Sequence, residues 1–547
     1  MYHALLSNRY LTTRVIPFIA VGAVALCVAL VVIVVSVMSG FLDMLKRSGR
    51  TLMGDVVIST SYAGIPHYGR LIDRIVALPE AAAATPLVET LGLLRLPFPH
   101  GDRKDLATVQ VWAVDPATFA SVTGFDETLW WHPPEPGKES KLSEHDLRRQ
   151  VPAQLREDGL ALRDSRDGRP GIVPGIHVSR ENRRLADGSY APSSLEWWMP
   201  LHAVSLTLVP ITGAGKLAEP KEVVFPVVNE FQSGVYQIDR QRVLIPLEEG
   251  QKILRLGEAT LTDPGDLDDE GRPRVIGVDP AKVSRVLVRA ADGVSPQALR
   301  EAVDRAYLDF LEELWLDDGA LVKPPPRAAV LVLTWEQLLR DLIGPVEKER
   351  EMMRILFSIV YFVCAGLILS IFWAIVQEKT RDIGILRSVG APRAGIIWMF
   401  LRYGLVIGVV GSLVGLVLAE AVVRNINAIH DAIGRDAPRW AWITSFAAAA
   451  AAVVAGSWYA WRGRVLPALL WAIASFALAV IGTGLLLHHG TLIWDPSVYY
   501  FSRIPNEVDR ITAAITLVGA VVFSVIGASI PAAKAADTDP VRALRYE

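Results

Sequence analysis

The stretch Val15–Met38, VIPFIAVGAVALCVALVVIVVSVM, holds no Asp, Glu, Lys or Arg, and this constrains the chain more than any other feature. A run of that length and polarity crosses about 30 Å of hydrocarbon as a helix, because in lipid every backbone N–H and C=O must be satisfied within the segment itself. It is longer than the core of a signal peptide, and no small-residue cleavage site precedes the polar sequence that follows, so it reads as a retained anchor. Runs of the same kind recur at 353–376, 395–421, 441–460, 465–487 and 511–530, giving about six crossings. With that count the short basic segments Asn8–Arg14, Lys379–Arg393, Arg462–Arg464 and Lys534–Arg545 all fall on one side, expected to be cytoplasmic, with residues 1–14 and the tail 531–547 on that side.

Between the first two crossings the composition changes. Residues 41–352 are mixed in polarity and carry short β-branched runs separated by Pro, Gly and Asp: Asp55–Ser59, Thr108–Val114, Val204–Val209, Glu222–Phe225 and Val286–Arg289. Helical patterns occupy Arg70–Leu78 and Ser295–Trp315. The expected fold is therefore an α-helical membrane protein with a large α+β extracytoplasmic domain inserted between its first two crossings. Phe41, Leu42 and Leu45 continue the first helix beyond the bilayer, and Leu338, Leu339, Leu342 and Val346 give the returning segment a similar apolar stripe, so two stalks are expected to pair. Asp126–Gly171 is polar, without periodicity, and reads as an inserted mobile loop. The acidic stretch from Asp263 lacks the ligand spacing of a calcium loop and reads as a solvated surface loop.

The segment 377–394 lies between two crossings. On a helical wheel Ile383, Ile385, Leu386 and Val389 occupy one half and Arg381, Gly384, Arg387 and Ser388 the other, with Asp382 breaking the pattern. A docking helix and a loop whose charges only fix topology fit this wheel equally well. In the third crossing Gly404, Gly408, Gly411 and Gly415 share one face, which suits close approach of another helix better than mere tolerance of glycine. Arg402 and Glu420 lie near enough to its ends to reach the interface. The crossings are otherwise almost free of charge, against an ion-coupled carrier. Val24, Val28, Val31 and Val35 on the first crossing, with Ile355, Ile359 and Leu367 on the second, are candidates for contact with a lipid-like cargo, and lipid-facing packing explains them equally well.

No zinc-protease, paired C-x-x-C or nucleophile-elbow motif occurs, so no catalytic or metal site is expected, and adjacent His488 and His489 at a helix end read as interfacial residues. The two cysteines, Cys27 and Cys364, both lie in crossings, which leaves none for a disulfide in the inserted domain. A net charge of −3, with no basic run interleaved with aromatics, speaks against nucleic acid.

Two stretches carry a resemblance. Glu378–Pro392, EKTRDIGILRSVGAP, and the ending Pro531–Glu547, PAAKAADTDPVRALRYE, are similar to the FtsX-like permease family of ABC transporters. Asn8–Tyr10, Val35–Phe41, Phe231–Tyr236 and Trp494–Pro505 resemble its lipoprotein-releasing, Lol-type branch. The resemblance implies an extracytoplasmic domain of a larger and a smaller inserted lobe, in a bacterial inner membrane protein whose large domain is periplasmic. It implies two permease subunits, the same or paralogous, on a dimeric cytoplasmic ATPase, with a periplasmic lipoprotein carrier as a further partner. Glu378, Lys379, Arg381, Asp382, Ile383, Ile385, Leu386, Arg387, Val389 and Gly390 would form the ATPase-coupling helix, passing nucleotide closure into the stalks. The chain has no G-x-x-x-x-G-K-[ST] loop, so ATP and Mg would be held by that partner and no cofactor by this chain. Release of lipoproteins is the leading expectation. A transmission permease for another cargo, or a membrane receptor that does not transport, are the rivals. The family usually has four crossings, so 441–460 and 465–487 form an additional hairpin, followed by an extracytoplasmic loop at 488–510.

Overall fold

A computed structural model describes residues 15–60, 64–97, 105–134, 147–185, 189–210, 218–267, 273–317, 319–434, 439–487 and 504–537. Helix α1 (Val15–Arg50) leads to β1 (Val56–Thr60), β2 (Ile65–Pro66), α2 (Tyr68–Val76), β3 (Ala81–Leu96) and β4 (Asp105–Val114). Helices α3 (Pro116–Val122), α4 (Phe125–Thr128) and α5 (Gln154–Ala161) precede β5 (Val173–Pro174), β6 (Asn182–Arg184), β7 (Tyr190–Pro192), β8 (Ala203–Leu208) and β9 (Lys221–Pro226). Next come α6 (Tyr236–Gln241), β10 (Arg242–Pro246), α7 (Leu247–Leu254), β11 (Ala259–Leu267), β12 (Pro273–Asp279), β13 (Lys282–Val283), β14 (Arg285–Ala290), α8 (Pro296–Leu316) and β15 (Val330–Thr334). The rest is helical: α9 (Trp335–Leu338), α10 (Arg340–Glu378), α11 (Thr380–Ser388), α12 (Arg393–Arg424), α13 (Ile426–Gly434), α14 (Arg439–Trp461), α15 (Val465–Leu487) and α16 (Arg510–Ala536). Six of these helices are long and apolar enough to cross a membrane.

The chain forms two compact units, one holding Leu42–Glu347 and the other Phe41 and everything before it together with Lys348 onward, apart from three residues. In the inserted unit a nine-stranded sheet runs β15-β1-β14-β3-β4-β10-β5, with β8 on β3 and β9 on β8. The pairings are antiparallel except β4 with β10. Successive side chains of a strand point to opposite faces, and here both faces are covered. Val56, Ile58, Val109, Val111, Val286 and Val288 enter one core, shared with Leu299, Val303, Tyr307 and Phe310 of α8. Val57, Trp112, Val114 and Leu287 enter the other, shared with Leu42, Phe119, Leu339 and Ile343. That is why these strands read as continuous β-branched runs. α8 starts where Ser295 accepts a hydrogen bond from the Ala298 N–H and Pro296 occupies the first turn.

The two stalks pair within this unit. Leu42 lies in the same core as Leu339 and Ile343, and Lys46 Nζ stands 3.0 Å from Glu347 Oε1. Two expectations for loops are corrected. Within the acidic stretch, residues 263–267 and 273–274 belong to the paired strands β11 and β12, and residues 268–272 lie outside the described residues. The insertion at 126–171 is built into the fold over its described part. Trp131, Val151, Ile176 and Tyr190 form a small core of their own, and the amide of Asn229 holds the backbone of Trp131 and Leu155. These partners are distant in sequence and come from single side chains, so no periodicity announces them. Residues 135–146, His488–His489, Asn8–Tyr10, most of Trp494–Pro505 and the tail beyond Asp537 lie outside the described residues.

Glu230 is fully buried beside that small core, accepting 2.7 Å hydrogen bonds from Trp131 Nε1 and from the Asn182 amide. Burial pushes its carboxyl up to about 8 even though both donors favour the charged form. A carboxyl raised above its ordinary 4.5 stabilises the fold fully below that pH and loses the contribution as pH climbs through about 8. Amide-exchange protection of Trp130–Trp131, corrected for intrinsic rates, should accordingly fall between about pH 4.5 and about pH 8. The Glu230→Gln variant should lose the part of that fall between about pH 6 and about pH 8, above the range in which the buried Asp239 titrates.

Candidate functional site

The membrane unit is held together by close backbone approach. Two of the four glycines on α12 back onto the last helix: a Cβ on Gly404 would stand 2.7 Å from Ala528 Cβ, and one on Gly408 2.8 Å from Ser524 Cβ. The other two back onto the first: a Cβ on Gly411 would stand 2.8 Å from Val24 Cβ, and one on Gly415 2.9 Å from Val28 Cβ. One small-residue face therefore serves two partner helices in succession. α16 in turn approaches α10, where a Cβ on Gly527 would fall 2.7 Å from the Ala365 carbonyl oxygen. Tyr361 stacks on Phe523, Phe372 meets Tyr403 edge-on, and Cys27 is disulfide-bonded to Cys364 between α1 and α10.

This packing separates the proposed cargo-contact residues. Val24, Val28, Val31 and Val35 are buried, the first two against α12 and the last two beside Phe357. Ile355, Ile359 and Leu367 point outward, Ile355 being 65% exposed. The two sets do not line one surface, because the valines fill the seams that hold the bundle.

The segment between α10 and α12 is a defined piece of geometry. Thr380 Oγ1 turns back to the carbonyls of Val376 and Gln377, both at 2.9 Å, where α10 ends and α11 begins. Lys379 pairs with Asp382 at 2.9 Å. At the other end Gly390 takes φ +99°, its N–H bonding the Arg387 carbonyl while the Ala391 N–H reaches the Leu386 carbonyl. These are the two hydrogen bonds of a Schellman cap, and Pro392 then stops the helix and starts the next. The sequence Val389-Gly-Ala-Pro392 is a chemical instruction to stop and turn.

The face turned inward differs from the one the wheel suggested. Ile383 is 1% exposed, packed among Ile396, Phe400, Ala532 and Ala535. Gly384 is buried beside it, and Arg387 Nη1 donates to the Ala536 carbonyl at the end of α16, where the helix dipole favours a cation. Ile385 and Val389, at 46% and 84% exposure, face away with Arg381 and Ser388, while Leu386 is half-buried. Arg387 is thus an internal anchor, a role the wheel could not show because its partner is a carbonyl 149 residues away. Asp509 was also missed: it caps α16, accepting from the Ile511 and Thr512 N–H groups, and the polar residue before an apolar run was the available signal.

The family described as FtsX-like permease C-terminal matches residues 354–466, which takes in α11 and its flanking helices but not α16. The lipoprotein-releasing system transmembrane protein LolC of Neisseria meningitidis serogroup B is 23% identical over 337 residues, 62% of this chain and 58% of that protein. LolC of Xylella fastidiosa is 21% identical over 328 residues, 60% of this chain and 56% of that protein. The chain thus spans a little over half the length of these curated relatives. The periplasmic region of MacB from Actinobacillus actinomycetemcomitans overlays 55% of this chain and 97% of its own at 8% identity, with a TM-score of 0.26, too slight a likeness to bear on the fold.

Two substitutions test the geometry. Gly390→Ala places a Cβ at a positive φ and should cost about 1–2 kcal/mol of local stability, read as faster proteolysis within 380–392. Gly415→Leu should lower the thermal midpoint of the detergent-solubilised chain by several degrees, whereas Gly519→Leu, where a Cβ meets nothing within 4 Å, should leave it unchanged.

Proposed function

We propose that this chain, which carries an FtsX-like permease domain and resembles Lol-type permeases, is the membrane subunit through which a cytoplasmic ATPase drives release of lipoproteins from the inner membrane. The observation that carries the reading is the 377–392 turn: one face is locked to the bundle by Ile383 and Arg387, and the other presents Ile385, Val389 and Arg381 outward. An apolar pair flanked by an arginine, on a helix closed by a Schellman cap, suits a protein groove better than lipid. The turn follows directly on α10, which extends from Arg340 to Glu378 with Pro345 in its early turns, so in this reading displacement of the docking face is passed into α10.

In this reading α11 lies on the cytoplasmic side and Leu42–Glu347 in the periplasm. Two permease subunits sit on an ATPase dimer that supplies ATP and Mg. The LolC relatives support lipoproteins as cargo, with a soluble periplasmic carrier as the acceptor. The almost uncharged crossings suit leverage driven from outside the membrane rather than ion coupling.

The test co-purifies the chain with its ATPase and follows hydrolysis on addition of a triacylated lipoprotein. The wild-type complex should be stimulated. The pair Arg381→Glu with Val389→Asp should reduce stimulation about tenfold or more while the chain stays folded. Arg387 is left intact in this test because its substitution would also loosen α16. Undiminished stimulation in the pair would remove the docking role, and failure of any ATPase to co-purify would remove the whole reading.

A further inference from the structure

At the end of the membrane unit away from the 377–392 turn, α12 and α16 diverge around a groove of about 760 Å³. Its apolar lining is Leu416, Ala513, Ala514 and Leu517. Its mouth carries Glu420 and Arg424 on α12 and Glu507 and Arg510 on the opposite side. The remaining side is the segment of chain that enters α16, and it is fixed along its length. Asn427 holds Ile504 by both of its backbone polar groups, at 2.9 and 2.8 Å. Pro505 sits on Gly40, where a Cβ would collide with the ring. The Asp509 N–H donates to Ser36 Oγ at 3.2 Å, and Ser39 Oγ donates to the Asp509 carboxylate at 3.3 Å. Between these fixed points Asn506 and Glu507 are left facing the groove.

We propose that this groove binds one phospholipid bearing a phosphoethanolamine headgroup. An apolar groove between α12 and α16 and a charged rim at its end match the two parts of an amphiphile, and a volume of this size is in the range of ligand sites. The rim holds two arginines and two glutamates, so its formal charge is zero, and a purely anionic headgroup gains at the arginines what it loses at the glutamates. A headgroup with both signs satisfies both. Glu420 and Arg424 are paired at 2.6 Å, whereas Glu507 and Arg510 form no ion pair among the described residues and are open to a ligand. Arg510, with the donors that Arg424 retains, receives the phosphate in the planar geometry of guanidinium. Glu507 accepts N–H bonds from the primary ammonium, which the methylated choline headgroup cannot donate. This binding adds a ligand to the Glu420–Arg424 pair at the end of α12, and it is independent of any ATPase.

The full-length chain is reconstituted in vesicles containing equal parts phosphatidylethanolamine, phosphatidylcholine and phosphatidylglycerol of matched acyl chains. After extraction into mild detergent, native mass spectrometry counts the lipids each chain retains. The wild type should keep one phosphatidylethanolamine in about tenfold preference to the others. Glu507→Gln with Arg510→Gln should abolish the preference, and Ala514→Trp, which fills the groove without changing its charge, should abolish the retained lipid itself. Equal retention of the three lipids by the wild type, a preference for phosphatidylglycerol, or a phosphatidylethanolamine preference that survives both variants would each overturn the proposal. Ala514→Trp decides the matter if the charge variant does not fold.

Discussion

Backbone-to-backbone approach at the α12 glycines is the constraint on which the membrane unit depends. Inside a bilayer apolar side chains gain nothing by leaving lipid for protein, so helices associate where small residues let their backbones touch and dispersion contacts accumulate. Gly404 and Gly408 on one stretch and Gly411 and Gly415 on the next place α16 and α1 against the same helix, and Gly527 brings α10 to α16. α12 is thereby the shared wall of the bundle. It also accounts for the burial of the valines weighed as cargo contacts: Val24 and Val28 are the ridges that enter the glycine grooves, and their neighbours further along α1 meet Phe357 of α10.

The same logic accounts for the imperfect amphipathicity of α11. A surface helix with one partner shows one apolar face, and a helix held on one side by its own chain while offering the other shows two interrupted ones. Ile383 and Gly384 face the bundle, and Ile385 and Val389 face away. Arg387 breaks the inner face because a helix C-terminus is waiting for it, and Asp382 is engaged by Lys379. Charges that looked like disorder on a wheel become ordered once their partners are known.

Much of this architecture was legible from local pattern. Crossings are set by lipid thickness and by backbone satisfaction, so 353–376 and 511–530 fall inside α10 and α16. Strands such as Val286–Arg289 were visible because both faces of the sheet are buried, whereas Gly390, counted within the coupling helix, instead takes φ +99° in its C-terminal cap. What stayed hidden depends on partners far along the chain. The hold of Asn229 and Glu230 on Trp131 spans 98 and 99 residues, and the Arg387 anchor spans 149. A β11–β12 hairpin exposed on both faces lacks the alternation by which strands are recognised. The glycine stripe was readable as a packing face, but its division between two helices was not, because a single helix carries no mark of where one neighbour ends and the next begins.

The hairpin of α14 and α15 is a self-contained pair. α14 and α15 satisfy each other: Gly456 backs onto Trp471, Gly482 onto the ring of Phe446, and Ser445 Oγ donates to the Leu478 carbonyl at 2.9 Å. Arg462 lies over Trp458 beside the turn at Gly463, whose φ of +70° closes the hairpin within a few residues. The small residues that could have docked against the bundle are spent inside the hairpin, and large apolar side chains such as Phe476 and Val454 are turned outward, where lipid suffices. Helices paired in this way demand no glycine groove from α12. The close approaches that define the bundle therefore remain those of α1, α10, α12 and α16, and the hairpin extends the membrane unit without becoming one of its walls.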